Sequence, residues 1–285
     1  MPTTVSSLTF PTTGRFLAFD TSTDRMSIGV SDGAQQWLHE GAGGPLSSAT
    51  LIPAILKLLT EAGLQLNQLD AIAFGRGPGS FTGLRTACAV AQGLALGAGV
   101  PVLPVDSLLA LAEDARFQWA LENSAANPAS YTAPQTITAL LDARMDEMYV
   151  QHFRLNDSAC QALAPCVLVR PEALQLDAVL PAAGNADIEA KHGLAGNVFE
   201  VYATRLPALP VGCLRLTALP SAAAMLRLAP GLLATGAALN ASQALPLYIR
   251  DKVALTTDER AEVKRQALAL STTTAEIAAT SPNPA

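Results

Sequence analysis

The chain has 285 residues, half of them hydrophobic and only 15% charged, with a formal net charge of −6 at pH 7. That composition argues for a well-packed globular protein rather than a disordered chain. The acidic balance is the wrong sign for a protein that grips a nucleic-acid backbone unaided. Length alone allows one large domain or two small ones with a substantial core.

In chain order, residues 1–13 are rich in Ser, Thr and Pro and read as a loose leader without the basic and apolar regions of a signal peptide. Phe16–Asp20 reads as a strand. Met26, Ile28 and Val30 alternate with polar or small residues, as in a half-buried strand. Asp32-Gly33 is a hairpin turn, with Ala34–His39 as the return strand. Ser47–Ala62 reads as a helix capped by Ser48 or Thr50, with Pro53 in its first turn and Gly63 as its stop. Ile52, Ile55, Leu56 and Leu59 line one of its faces.

Then come a strand at Ala71–Phe74, a glycine turn, a helix at Thr82–Gly97 and a strand at Val102–Val105. From Ser107 the pattern restarts with a helix to about Ala120. A polar loop at Asn123–Gln135 precedes strands at Thr136–Leu141 and Glu147–Phe153, joined by a turn at Arg144–Asp146. Val167–Val169 is one more strand. Ala182–Gly196, rich in glycine and alanine, fits neither periodic template. Ser221–Leu239 is helical but interrupted at Pro230-Gly231. Asp258–Leu270 holds good helix formers, and Ser271–Ala285 reads as disordered. Hairpins followed by helix–strand alternation, twice over, indicate a two-lobe α/β protein with mixed sheets. The divisions are 14–106, 107–254 and a tail at 255–285.

The most informative stretch is Ala71–Val100, AIAFGRGPGSFTGLRTACAVAQGLALGAGV. Gly77, Pro78 and Gly79 make a tight turn, and Ser80 or Thr82 can cap the helix that follows. The helix N-terminus leaves backbone N–H groups where a phosphate or a partner's acidic group could sit. No Lys-Ser/Thr pair follows the glycines, so this is not a Walker loop. The spacing fits either a structural turn or a ligand site.

Ser80 has Thr82 where a nucleophile elbow needs its second glycine. His39, His152 and His192 are scattered, and no HxxxH or HExxH pair exists, so a metalloenzyme has little support. Cys88, Cys160, Cys166 and Cys213 form no CxxC pair. Cys88 reads as a core residue, and reduced thiols suit the cytosol. Ala87–Val100 is apolar but too short to span a bilayer. Ala89, Gly93 and Gly97 fall at steps of four, a helix face almost without bulk. Another helix can approach it closely, from outside or from within the same chain as the Ile52–Leu59 helix.

GRGPGSFTGLR followed by AQGLALG closely resembles the bacterial TsaB (YeaZ) family. So do LAFDTST at Leu17–Thr23, LDARMDEMY at Leu141–Tyr149 and LPLYIRDKVA at Leu245–Ala254, in the family's order. The resemblance implies an actin-like (ASKHA) two-lobe fold of duplicated ribonuclease-H-like lobes. It implies a non-catalytic, cytoplasmic subunit, off the membrane, of the machinery that makes threonylcarbamoyladenosine beside the anticodon of certain tRNAs. The partners implied are a TsaD-like catalytic subunit, which carries the metal, and a TsaE-like ATPase. A homodimer through the same helices is a further expectation, and tRNA would be met only indirectly.

The docking surface implied is Ile52, Ile55, Leu56, Leu59, Arg85, Ala89, Gly93 and Gly97. In actin-like ATPases the first strand's turn meets nucleotide phosphates, so Asp20 and Thr21, with Gly77, Gly79 and Ser80, would be a vestigial phosphate or nucleotide site. Alternatively, Asp20 and Thr21 hydrogen-bond within their own turn. No catalytic residue, metal or cofactor is expected. Ser47-Ser48 departs from the His-Ser of many members. Gly184, Gly193 and Gly196 make no adenosine motif. A free-standing actin-like ATPase or a glycoprotease-like peptidase, the alternatives, would need a second-lobe nucleotide motif or a metal or nucleophile site.

Overall fold

The computed structural model describes residues 13–125, 134–156, 159–176, 192–209 and 213–250. The chain divides into a compact unit, Met1–Ile249, and a second unit, Arg250–Ala285. The expected leader up to residue 12, residues 126–133 of the polar loop, most of the Ala182–Gly196 window and the tail from 251 lie outside the described residues.

The first sheet contains β1 (Phe16–Asp20), β2 (Arg25–Ser31), β3 (Gln36–Ala42), β4 (Ala71–Gly77) and β5 (Val102–Asp106), in the order β3-β2-β1-β4-β5. The β1–β2–β3 pairs are antiparallel, and the β1–β4–β5 pairs are parallel. The second sheet contains β6 (Thr136–Arg144), β7 (Glu147–Asn156), β8 (Ala159–Ala162), β9 (Val167–Val169), β10 (His192–Gly196) and β11 (Leu214–Thr217). Its order, β8-β7-β6-β10-β11, repeats the first sheet strand for strand, with antiparallel hairpins on one side and parallel strands on the other. Such a repeat is the duplicated ribonuclease-H-like pattern of an actin-like α/β fold.

Among the described residues five helices cover the sheets: α1 (Ser47–Glu61), α2 (Phe81–Ala98), α3 (Ser107–Ala125), the single turn α4 (Val198–Val201) and α5 (Ala222–Ala234). α1 and α2 bury Leu51, Ile55, Ala87 and Ala91 against Leu17, Phe19, Ile28 and Phe74. The opposite face of the same sheet, Phe16, Ala18, Ala71 and Leu103, is closed by Ala110 of α3 and by Ala222, Met225, Leu226 and Ala229 of α5. β2 is therefore buried on both faces, not half-buried as its alternation predicts. α3 also turns Leu108, Leu111, Ala115 and Trp119 toward Ile137, Leu141 and Phe153 of the second sheet. Each fully buried Leu or Phe contributes about 1.5–3 kcal/mol.

Several local expectations shift. Pro53 lies well inside α1 rather than in its first turn. The carbonyl it deprives of a partner belongs to exposed Ala49, where water can satisfy it. α1 has no side-chain cap: a 3-10 turn at Gly44–Leu46 leads into it, and the Thr50 hydroxyl donates to Leu46 O. Gly63, at φ +66°, does end it. Pro230 does not interrupt α5, because the helix is held on both sides of it by packing on the first sheet, and Ser221 caps its start. β10 lies in the window that fitted neither template. Its glycines are close-approach positions: a Cβ at Gly193 would lie 2.4 Å from Trp119, and one at Gly196 would lie 1.8 Å from Leu140 O.

Two of the scattered histidines meet across this second sheet. Thr138 Oγ1 lies 2.8 Å from His152 Nδ1 and 2.9 Å from His192 Nε2, and Thr136 Oγ1 lies 2.7 Å from His192 Nδ1. Burial holds His192 neutral, its pKa lowered to about 4. The unfolded chain takes up that proton near pH 6.5, so the unfolded state binds more protons between the two values. Stability should therefore fall as pH drops from ~6.5 to ~4, by on the order of 2–3 kcal/mol from this ring. Urea melts across that range should show His192→Gln flattening the decline; an unchanged slope in the variant would count against this assignment.

Candidate functional site

β1 delivers Asp20 into a buried turn. Asp20 Oδ1 accepts from Ser22 N–H at 2.7 Å and from the Ser22 hydroxyl at 2.6 Å; Oδ2 accepts from the Ser107 hydroxyl at 3.1 Å. The carboxylate is 1% exposed, and desolvation raises its pKa despite those hydrogen bonds. Thr21 does not bond within its own turn: its hydroxyl donates across to Gly83 O of α2 at 2.8 Å. Ser80 N–H donates back to Ser22 O at 2.8 Å, so turn and helix start are stitched together in both directions.

Glycine permits this approach. A Cβ at Gly75 would lie 1.9 Å from Asp20 Oδ2, one at Gly79 2.5 Å from Ser22 O, and one at Gly83 1.8 Å from Thr21 O. Gly77 has φ +117°, and its Cβ would touch Leu247 O. Ser80 occupies the cap position of α2 without a side-chain cap bond. The structure thus brings Asp20, Thr21, Gly77, Gly79 and Ser80 around one turn, where Asp20, Thr21 and Ser80 bond within the protein.

The hairpin tip of β6–β7 reaches the same turn. Arg144, Met145 and Asp146 all have positive φ, at 60°, 56° and 60°. Arg144 pairs with Asp24, just beyond the β1 turn, and with Asp142 at 3.2 Å. On the other side, Arg205 bonds Asp146 at 2.7 Å and Glu172 at 2.5 Å. The turn falls where local turn chemistry predicts it, but its ion pairs are not local: Arg144 and Asp24 are 120 residues apart, and Arg205 and Asp146 are 59 apart.

The helix pair divides in an informative way. Of the four α1 residues expected on one face, Ile55 and Leu59 are in the core, whereas Ile52 and Leu56 are 41% and 47% exposed. On α2, Arg85, Ala89, Gly93 and Gly97 are all exposed. A Cβ added at Gly93 or Gly97 would meet nothing within 4 Å. α1 therefore does not cover this stripe, because α2 faces the core through Leu84, Ala87, Ala91 and Ala95 instead. Leu96, 77% exposed, stands beside it. A groove of about 420 Å³ opens at the same helix end, between Leu96, Gly99 and the 238–241 segment. Ser47, at the start of α1, is buried and its hydroxyl donates to Gly44 O at 2.7 Å.

Other chemistry finds little footing among the described residues. No cluster of three or more His, Cys, Asp or Glu could hold a metal ion. Burial pushes the Cys160 and Cys166 thiols up to about 12, the opposite of an activated nucleophile. No described helix is long and apolar enough to cross a membrane.

The tight turn yields a sharp expectation. Gly83→Ala should lower stability by at least ~1–3 kcal/mol, since its methyl must displace backbone rather than a flexible side chain. A thermal melt unchanged from wild type would show that the turn and α2 are not held as tightly as described.

The family model described as "TsaD: tRNA N6-adenosine threonylcarbamoyltransferase" matches residues 45–263. Over 133 residues the chain is 39% identical to the tRNA threonylcarbamoyladenosine biosynthesis protein TsaB of Haemophilus influenzae, covering 47% of this chain and 51% of that protein. Over 251 residues it is 29% identical to TsaB of Escherichia coli, covering 84% and 96%. A solved Pseudomonas aeruginosa structure, described as an uncharacterized protein with similarity to peptidase YeaZ, superposes with a TM-score of 0.70 at 35% identity, covering 83% of this chain and 100% of that one. A second, described as YeaZ from the same organism, gives a TM-score of 0.69 at 34% identity, covering 82% and 99%. Duplicated sheets, a glycine-welded first turn and relatives along most of the length agree: the chain belongs to the TsaB (YeaZ) family.

Proposed function

We propose that this chain is a non-catalytic subunit of the machinery that installs the threonylcarbamoyl group on tRNA adenosine, next to the anticodon. It docks on and supports a TsaD-like catalytic subunit, which carries the active site and metal, with a TsaE-like ATPase as third member. The names of the TsaB relatives support the pathway. The observation that carries the docking role is the open α2 stripe, Ala89, Gly93 and Gly97, beside exposed Ile52 and Leu56. Backbones can approach closely there, and exposed apolar surface favours a partner.

In this reading Arg85 also belongs to the interface, Ile55 and Leu59 support it from beneath, and a homodimer competes for the same helices. Residues 14–106 form the docking lobe, 107–254 the second lobe and 255–285 a tail. The Asp20, Thr21, Gly77, Gly79 and Ser80 turn is a vestige of a phosphate site, its polar groups turned to structural use. The acidic net charge suits a subunit that meets tRNA only through its partners, in the cytoplasm.

The test pairs folding with binding. Gly93→Leu should leave the melting temperature where it is, because the added side chain points into open space. Binding to the TsaD-family protein of the same genome should drop about ten- to hundred-fold or more, as overpacking between two helices does. A lowered melt with binding retained would refute the docking role. Separately, the pure chain should turn over little or no ATP; robust hydrolysis abolished by Asp20→Asn would favour a free-standing ATPase instead.

A further inference from the structure

Two motifs far apart in sequence meet at the N-terminal end of the α2 stripe. The segment 241–248 runs antiparallel along α2. Ala244 O accepts from Gln92 Nε2 at 2.9 Å and from the Cys88 thiol at 3.4 Å, and four residues later Tyr248 stacks on Phe81, ring centres 4.9 Å apart and 14° from parallel. Leu247 N–H donates to Arg76 O at 2.7 Å and holds the segment down at that end. Arg85 lies against the stacked pair, its guanidinium carbon 5.8 Å from the Phe81 ring centre and 5.9 Å from that of Tyr248. Its Nε donates to Tyr248 Oη at 3.1 Å.

These contacts fix the guanidinium without consuming it. Among the described residues, no hydrogen bond of Arg85 uses its two terminal amino groups, which form a planar fork matched to a carboxylate. Arg85 is exposed and is the one charged side chain on α2. It stands four residues before Ala89, so it heads the stripe that continues through Gly93 and Gly97. A helix packed along that stripe must pass beside Arg85. The surrounding face is apolar and small, with Leu96 and Leu245 exposed at 77% and 70%. A nucleic-acid backbone would need several cations in a row, and α2 offers one.

We infer that the Phe81–Tyr248 stack is a clamp that preorganises Arg85 to receive an aspartate or glutamate carboxylate from the protein docked on α2. The inference rests on the docking role proposed above and adds the chemistry of one contact to it. The C-terminal segment thereby becomes a working part of the interface, because Tyr248 supplies both a ring and the hydrogen bond that orients the arginine. A preorganised arginine at the edge of an apolar contact is a residue type that carries binding energy out of proportion to its area.

The experiment uses the full chain and the TsaD-family protein of the same genome, with affinity measured calorimetrically at low and high salt. Arg85→Gln should weaken binding about ten-fold or more, and Arg85→Lys should also weaken it, since an ammonium keeps the charge but loses the fork. Tyr248→Phe, which keeps the stack and drops the hydrogen bond, should cost about two- to five-fold. Melting temperatures should not move for the exposed Arg85 variants. Arg85→Glu should be rescued by an acid-to-arginine change on the partner.

If Arg85→Glu binds like wild type while Gly93→Leu does not, the clamp is refuted and the docking surface stands. If both bind like wild type, the docking surface itself is wrong and the clamp falls with it. If Arg85→Glu keeps partner binding but loses retention of ATP or tRNA used as probes, the ligand is a phosphate and the carboxylate assignment is overturned.

Discussion

Everything in the first half of this protein hangs on two stretches of backbone lying closer than side chains would allow. The β1 turn and the start of α2 touch through Thr21 and Gly83, and through Ser22 and Gly79. Two hydrogen bonds cross the contact in opposite directions, and Asp20 ties the turn further to Ser107 at the head of α3. The polar groups of Asp20, Thr21 and Ser22 are spent on internal bonds. The desolvated Asp20 carboxylate shows the cost of that arrangement, and the three hydrogen bonds it accepts offset it.

Because α2 is anchored at its start, its orientation follows. One side, Leu84, Ala87, Ala91 and Ala95, closes the core. A flank carries the 241–248 segment through Cys88, Gln92 and Phe81. The side left over is the stripe headed by Arg85. A helix packed on two sides needs small residues where its neighbours come near, and Gly83, Ala87, Ala91 and Ala95 are among the residues α2 buries there, with Leu84. The apolar run that looks like a membrane segment in isolation belongs to a helix packed on the core and on the 241–248 segment.

The two sheets share helices rather than owning them separately. α3 turns one side to each sheet, and α5 crosses back onto the first. Between them sits Glu113, 2% exposed, bonded to Arg116 at 2.7 and 2.8 Å and to Arg227 at 2.8 Å. Arg227 in turn lies 4.0 Å over the Phe117 ring. A buried carboxylate held by two guanidiniums is poorly suited to adding stability, but it tolerates only one relative placement of the two helices. The Arg144–Asp24 pair links the hairpin tip of the second sheet to the first in the same way, though at an exposed position where its energy is small.

Much of this was legible in the residues themselves. The strands from Phe16 to Asp106 and the hairpin at Asp32-Gly33 follow from local periodicity and turn chemistry, which depend on neighbours in sequence. So do the glycine stop at Gly63 and the duplicated α/β order. The family likeness was legible for a related reason: at Gly75, Gly79 and Gly83 a side chain has no room, and these glycines fall in one readable string. Tertiary structure decided what no local pattern encodes. β2 is covered on both faces only because α5 returns from two hundred residues away. Pro230 stays helical because packing outweighs one lost hydrogen bond. Ile52 and Leu56 are exposed while Ile55 and Leu59 are buried, since a helical stripe shows which residues share a side but not where the core ends. Thr21 turns to Gly83, His152 meets His192 through Thr138, and Tyr248 orients Arg85, because hydrogen bonds and ring stacking act over a few ångströms and sequence separation does not enter them.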